Sequence, residues 1–199
     1  MVARPKRIAA KLSEELTLVS KAHTGKDITW RWMGKELLEE AAGALDMVPD
    51  DIKYVFEFEK KGVIDDIISA QFNKYYKSDR KIRNTIAKVI RDVSFDGHVI
   101  IVGRGGVAIT RDLANSLHIN LEAPLEWRAA RISEKEKMSI DEAKKYIGEL
   151  DKKRSEFRNY FQGTETDYTR FDISYNVMTL TVDEIVSHIA YMVKLRGLF

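Results

Sequence analysis

Apolar residues recur along this chain with two different periods, and the change between them divides it near residue 95. Before that point the spacing is helical. In "PKRIAAKLSEEL", Ile8, Leu12 and Leu16 repeat every fourth position, and Pro5 suits a first turn. A polar turn, "SKAHTGKD", and a short β-prone run, "ITWRW", lead to "GKELLEEAAGAL", which predicts a second helix with Leu37, Leu38, Ala41 and Leu45 inward. Residues 50–95 read as charged helix in three pieces, broken near Gly62 and at "KSD". The last piece, "SDRKIRNTIAKVIRDV", presents Ile82, Ile86, Val89, Ile90 and Val93 on one side.

After the Asp96-Gly97 turn, short continuous apolar runs alternate with helices. "HVIIVG" reads as a strand buried on both faces, as in a parallel sheet. A short helix over roughly 107–115 leads to a second strand in "SLHINLEAP", stopped by Pro124, and "LEWRAARI" restarts a helix. A long helix, "SIDEAKKYIGELDKKRSEFRNYF", opens on a capping box of Ser139 with Glu142. "DISYNV" is the third strand, and a last helix opens on Thr181 with Glu184 and stops at Gly197. The alternation predicts an α/β fold, a parallel sheet flanked by helices, with residues 1–199 as one domain. There is no internal repeat and no low-complexity stretch.

Composition narrows the classes without choosing among them. A chain of 199 residues can bury its own core. Its 33 basic and 31 acidic residues leave a net charge of +2, which gives no global argument for nucleic acid or membrane as a partner. With no cysteine, disulfides and thiolate metal sites are excluded, which fits a reducing compartment. His23, His98, His118 and His188 show no ligand spacing, so no metal site is expected. The basic start "MVARPKRIAAKL" is not followed by an apolar run of signal-peptide length. No run reaches the ~18 apolar residues of a membrane span. The cytoplasm is the expected location.

Three features carry candidate chemistry. The first strand runs into "GRGG", at the strand end where open α/β sheets bind ligands. There Gly103, Gly105 and Gly106 let the backbone approach a ligand, and Arg104 offers a planar fork for phosphate or carboxylate. A tight turn with a solvated arginine would look the same. In "APLEWRAARISEKEK", Arg128, Arg131 and Lys135 fall at i, i+3 and i+7, which by itself reads as a solvated basic face. In the long helix, the apolar stripe of Ile140, Ala143, Ile147 and Leu150 continues to Arg154 and then Phe157 and Phe161. An arginine on a buried seam needs a partner. Asp151 and Arg158 lie on the same side, so the three form either a structural ion cluster or a site for an anionic ligand.

Together, "HVIIVGRGG", "INLEAPLEWRAARI", "IDEAKKYIGELDKKRSEFRNYF" and "DISYNVMTLTVDEIV" resemble the cytidylate-kinase-like proteins, nucleoside monophosphate kinases of the P-loop kinase fold. "KRIAAKLSEEL" and "GKELLEEAA" are similar to that family's first helix and the start of its second segment. The resemblance implies transfer of the ATP γ-phosphoryl group to a CMP-like nucleoside monophosphate, with Mg²⁺. It implies a helical monophosphate-binding region about 34–95 and a mobile lid about 128–158. Arg104, flanked by Gly103 and Gly105, would contact the acceptor's monophosphate. Arg128 and Arg131 would reach the donor's phosphates, Arg154 would bridge donor and acceptor, and Asp151 would orient it or meet the acceptor. Arg158 departs from the family pattern and is assigned to the substrate side. Lys6 stands near the position of the donor-binding lysine.

One family feature is not found. A strand and a glycine-rich loop should precede the first helix, but four residues stand before Pro5 and the first glycine is Gly25. Arg7 occupies the place of the usual Ser or Thr. The chain is therefore expected to lack the P-loop and the usual first, central strand, and to transfer phosphate weakly or not at all by itself. "TLVSKAH" and "ITWRW" are the two segments that could be recruited into the gap. Three readings follow: a longer gene product is the kinase; the protein is an inactive regulator that keeps a nucleotide or anion site; or it is an oligomeric scaffold without a ligand. A disrupted sheet favours self-association.

Overall fold

The computed structural model describes residues 4–53, 79–162 and 168–199. Helix α1 (Arg4–Thr24) buries Ile8, Leu12 and Leu16 as the periodicity predicts. It runs further than expected and takes in "TLVSKAH" as helix, because polar side chains there find partners across the fold. Ser20 is fully buried and accepts the Trp30 indole N–H at 2.8 Å, while Thr17 accepts the Trp30 main-chain N–H at 2.9 Å. The chain turns only at Gly25, which has φ +71°.

Only the end of "ITWRW" becomes strand: β1 (Arg31–Met33) takes in Arg31 and Trp32 and pairs in parallel with β2 (Val99–Ile101), so that Arg31 faces Val99 and Met33 faces Ile101. Helices α2 (Glu36–Gly43), α3 (Pro49–Lys53) and α4 (Asp79–Asp96) pack one core of Leu37, Leu38, Ala41, Leu45, Ile52, Ile82, Ile86 and Ile90. The expected breaks at Gly62 and Lys77–Ser78, with the helical pieces between them, lie outside the described residues. Helix α5 (Gly106–Thr110) is shorter than the sequence suggests.

Strand β3 (Ile119–Glu122) pairs in parallel with β4 (Ile173–Asn176), Ile119 opposite Ile173 and Glu122 opposite Asn176. Helices α6 (Leu125–Glu136) and α7 (Ile140–Gln162) form a hairpin, and α8 (Val182–Leu195) closes the chain. Both capping boxes form: Ser139 and Glu142 exchange bonds at 2.9 and 3.2 Å, as do Thr181 and Glu184 at 2.8 and 3.2 Å. At the far end of α8, Leu198 N–H reaches Val193 O and Gly197 N–H reaches Lys194 O, a Schellman stop on a glycine with φ +62°.

The pairing is parallel throughout, but the described strands form two pairs, β1–β2 and β3–β4, instead of one continuous sheet. This corrects the expectation that "HVIIVG" is buried on both faces. Among the described residues β2 has a single neighbour, and Val99, Ile100 and Ile101 are each half-buried. The two pairs share a second core: Ile100, Ile119 and Leu121 meet Ile8, Leu12 and Leu16 of α1 and Ile185 and Ile189 of α8. Helix α1 thus joins the two halves.

Candidate functional site

The loop after β2 is wound left-handed. Gly103, Arg104 and Gly105 have φ of +74°, +56° and +70°, and the turn closes with Gly106 N–H on Gly103 O at 3.0 Å. Holding a non-glycine residue there costs about 1–2 kcal/mol, so the loop keeps Arg104 in an unfavourable conformation. Gly105 is required twice over. Its φ is left-handed, and a Cβ on it would stand 2.6 Å from Cε1 of Phe157. Phe157 is 1% exposed and belongs to the core built on α2 and α4. The loop is therefore seated on α7.

The α7 stripe is covered by two different bodies. Ala143 and Ile147 pack with Ala129 and Ile132 of α6 in a small core of their own. Phe157 and Phe161 pack with the main core. The turn between them, Asp151 to Arg154, belongs to neither apolar cluster. Arg154 continues the periodicity, yet its side chain is 47% exposed, which corrects the expectation of an arginine on a buried seam. Ile140 is exposed as well.

The carboxylate of Asp151 gathers guanidinium groups in this interval. Arg128 Nη1 lies 2.6 Å from Oδ2 and Arg154 Nη1 lies 3.2 Å from Oδ1. Arg128 is the more enclosed, with its side chain 18% exposed and its Nε buried without a hydrogen-bond partner. Arg158, half-buried, adjoins Phe157 on the same helix. The other members of the i, i+3, i+7 set go elsewhere. Arg131 stacks on Trp127 with Cζ 4.1 Å from the ring centroid, and Lys135 pairs with Glu136 at 2.5 Å. The three residues share a helix face but no common target.

Lys6 is exposed in the first turn of α1, and its charge acts on Glu36 at the start of α2. The Glu36 carboxyl is held below its usual range by its own main-chain N–H and by Gly34 N–H, with Lys35 and Lys6 adding to the effect. The Gly34 bond measures 2.8 Å. Glu36 follows β1 and opens α2. The loop after β2, the start of α2 after β1 and the start of α6 after β3 all follow carboxyl ends of strands, where open α/β folds bind ligands.

The chemistry of these donors suits oxyanions, since guanidinium forks match phosphate oxygens and a left-handed glycine turn allows close backbone approach. It does not suit a protein-held cation. Asp151 is already shared by two arginines, and among the described residues no three His, Asp or Glu side chains cluster. Nor is any described helix long and apolar enough to cross a membrane.

The sequence profile of the cytidylate kinase-like family matches residues 3–179. A cytidylate kinase from Methanopyrus kandleri is 30% identical over 129 residues, which cover 59% of this chain and 65% of that protein's length. The crystal structure of an uncharacterized protein from Eubacterium ventriosum superposes with a TM-score of 0.60 at 19% identity, over 95% of this chain and 90% of that one.

Proposed function

Since the chain belongs to the cytidylate kinase-like family, we propose that the Gly103–Gly105 loop and the α6–α7 hairpin bind nucleotide phosphates for phosphoryl transfer between ATP and a CMP-like nucleoside monophosphate. The α/β fold is then of the P-loop kinase type, residues about 34–95 form the monophosphate side, and the hairpin about 128–158 is the lid. The observation that carries this reading is the seating of Gly105 on Phe157. It seats the loop that carries Arg104 against the helix that bears Asp151, Arg154 and Arg158, which supports a reading in which arginines far apart in sequence would serve one ligand.

Phosphoryl transfer asks a protein mainly for positioning and charge stabilisation. Arg104, held by its left-handed turn, would grip the acceptor's phosphate, with Arg158 beside it. Arg154 would exchange Asp151 for phosphoryl oxygens, while Arg128 stays anchored to the carboxylate and keeps the hairpin in register. Arg131 and Lys6 would serve the donor. Mg²⁺ would arrive with the nucleotide, since among the described residues no three His, Asp or Glu side chains cluster to hold it.

Calorimetric titration of the 199-residue chain with CMP and with ATP tests the reading. Saturable binding is expected, weakened about 10- to 100-fold by Arg104→Ala, the range of one lost charge-assisted contact of about 1.5–3 kcal/mol. Heats that never saturate with either nucleotide would refute it.

A further inference from the structure

Trp127 and Arg131 sit one turn apart on α6, and the guanidinium rests 4.1 Å above the indole. A second guanidinium approaches the same ring: Arg4 has its Cζ 5.2 Å from the centroid. Arg4 is itself tied down, donating to the carbonyls of Val177 and Leu180 after β4. Trp127 packs beside the core shared by α1 and α8, so its ring is fixed in place. Arg131, by contrast, is exposed, and among the described residues no carboxylate pairs with it. One helical step earlier, Arg128 is already bound to Asp151. Helix α6 therefore offers one committed arginine and one held by stacking alone.

These two kinds of hold differ in strength. Cation–π contacts at exposed sites are weak, whereas a phosphate oxygen offers a guanidinium charge-assisted bonds. We propose that Trp127 is a positioning residue that parks the Arg131 guanidinium beside the cleft, and that a polyphosphate ligand draws it off the ring. Parking also keeps Arg131 from competing with Arg128 and Arg154 for the single carboxylate of Asp151. The proposal rests on the phosphate-binding reading of the α6–α7 hairpin.

Two consequences follow from mass action. If the stack is given up on binding, it opposes binding, so weakening it tightens the complex. The indole also reports the departure of the cation. Inorganic tripolyphosphate is a suitable probe because it carries no base to absorb light. The full chain is titrated with it by calorimetry and by tryptophan emission, alongside Trp127→Phe and Arg131→Ala. In the unsubstituted chain the emission should change along the calorimetric isotherm. Trp127→Phe should lose that change and bind about 2- to 5-fold more tightly. Arg131→Ala, a change at an exposed side chain, should bind more weakly and show no emission change. Binding by calorimetry without an emission change, or unaltered affinity in Trp127→Phe, overturns the parking role and leaves the phosphate site standing. Absence of any saturable heat in the unsubstituted chain overturns both.

Discussion

Phe157 lies with the edge of its ring against the backbone of Gly105, so close that Cδ1 and Cε1 would stand 2.7 and 2.6 Å from any Cβ placed there. This contact joins the two halves of the candidate site, since one residue belongs to the loop after β2 and the other to the arginine-bearing helix α7.

Replacing Gly105 by Ala should therefore carry two penalties. The left-handed φ costs about 1–2 kcal/mol for a residue with a Cβ, and the clash with a buried ring adds about 1–3 kcal/mol of overpacking. Gly103 provides the control, because its φ is +74° with nothing within 4 Å of a Cβ. Urea denaturation should place Gly105→Ala well below Gly103→Ala in midpoint. Adding Phe157→Leu should recover part of the difference. Equal midpoints for the two alanine variants would mean that α7 yields freely to the loop.

His118 should make stability depend on pH. Its Nε2 lies 3.0 Å from the Thr110 hydroxyl, which donates its own proton to Gly106 O at 2.9 Å, so Nε2 must carry hydrogen. Nδ1 faces Asp172 at 3.7 Å, and Arg196 stands behind that carboxylate at 3.6 Å. Burial pushes the imidazole pKa down; Asp172 opposes the shift and Arg196 adds to it. A group whose folded pKa is lowered binds its proton first in the unfolded chain. Stability should thus be intact above the unfolded value of about 6.5 and fall as pH drops from there through the lower folded pKa. His118→Gln keeps a donor for Thr110 and does not titrate. Denaturation midpoints measured from pH 7.5 to 5 should fall more steeply for the unsubstituted chain than for the variant, and parallel slopes would remove His118 as the cause.

Much of this fold is readable because its signals are local. Ile82, Ile86 and Ile90 declare their helix face by spacing, and Thr181 with Glu184 declares a helix start within four residues. Pairing across the chain is a different matter. Nothing in "ITWRW" announces that Arg31 will lie opposite Val99, because five residues of β-prone sequence do not name a neighbour. The same limit misplaced Arg154. Periodicity correctly continued the α7 stripe, but it could not reveal that Ile147 and Phe157 are covered by different bodies with an open interval between them. Arg131 shared the spacing of Arg128, yet its destination depended on an indole one turn away.

Asp151 offers the sharpest division between a structural and a functional ion cluster. Asp151→Asn removes the charge that holds Arg128 and Arg154 while keeping the side chain's size. Arg128 is largely enclosed, so its loss of a partner should be felt, but Asp151 is 41% exposed and solvent screens the pair. A stability loss of about 1–2 kcal/mol is reasonable, between the values for surface and buried pairs. Affinity for tripolyphosphate should move the other way and rise severalfold, because the carboxylate no longer competes for Arg154 and no longer repels the anion. Phosphoryl transfer, where measurable, should still fall, since tighter binding of the ground state with a misoriented Arg154 does nothing for the transition state. A purely structural cluster would lose the same stability with no gain in anion affinity. Opposite signs in melting and binding are therefore the outcome that only a ligand-facing cluster can produce.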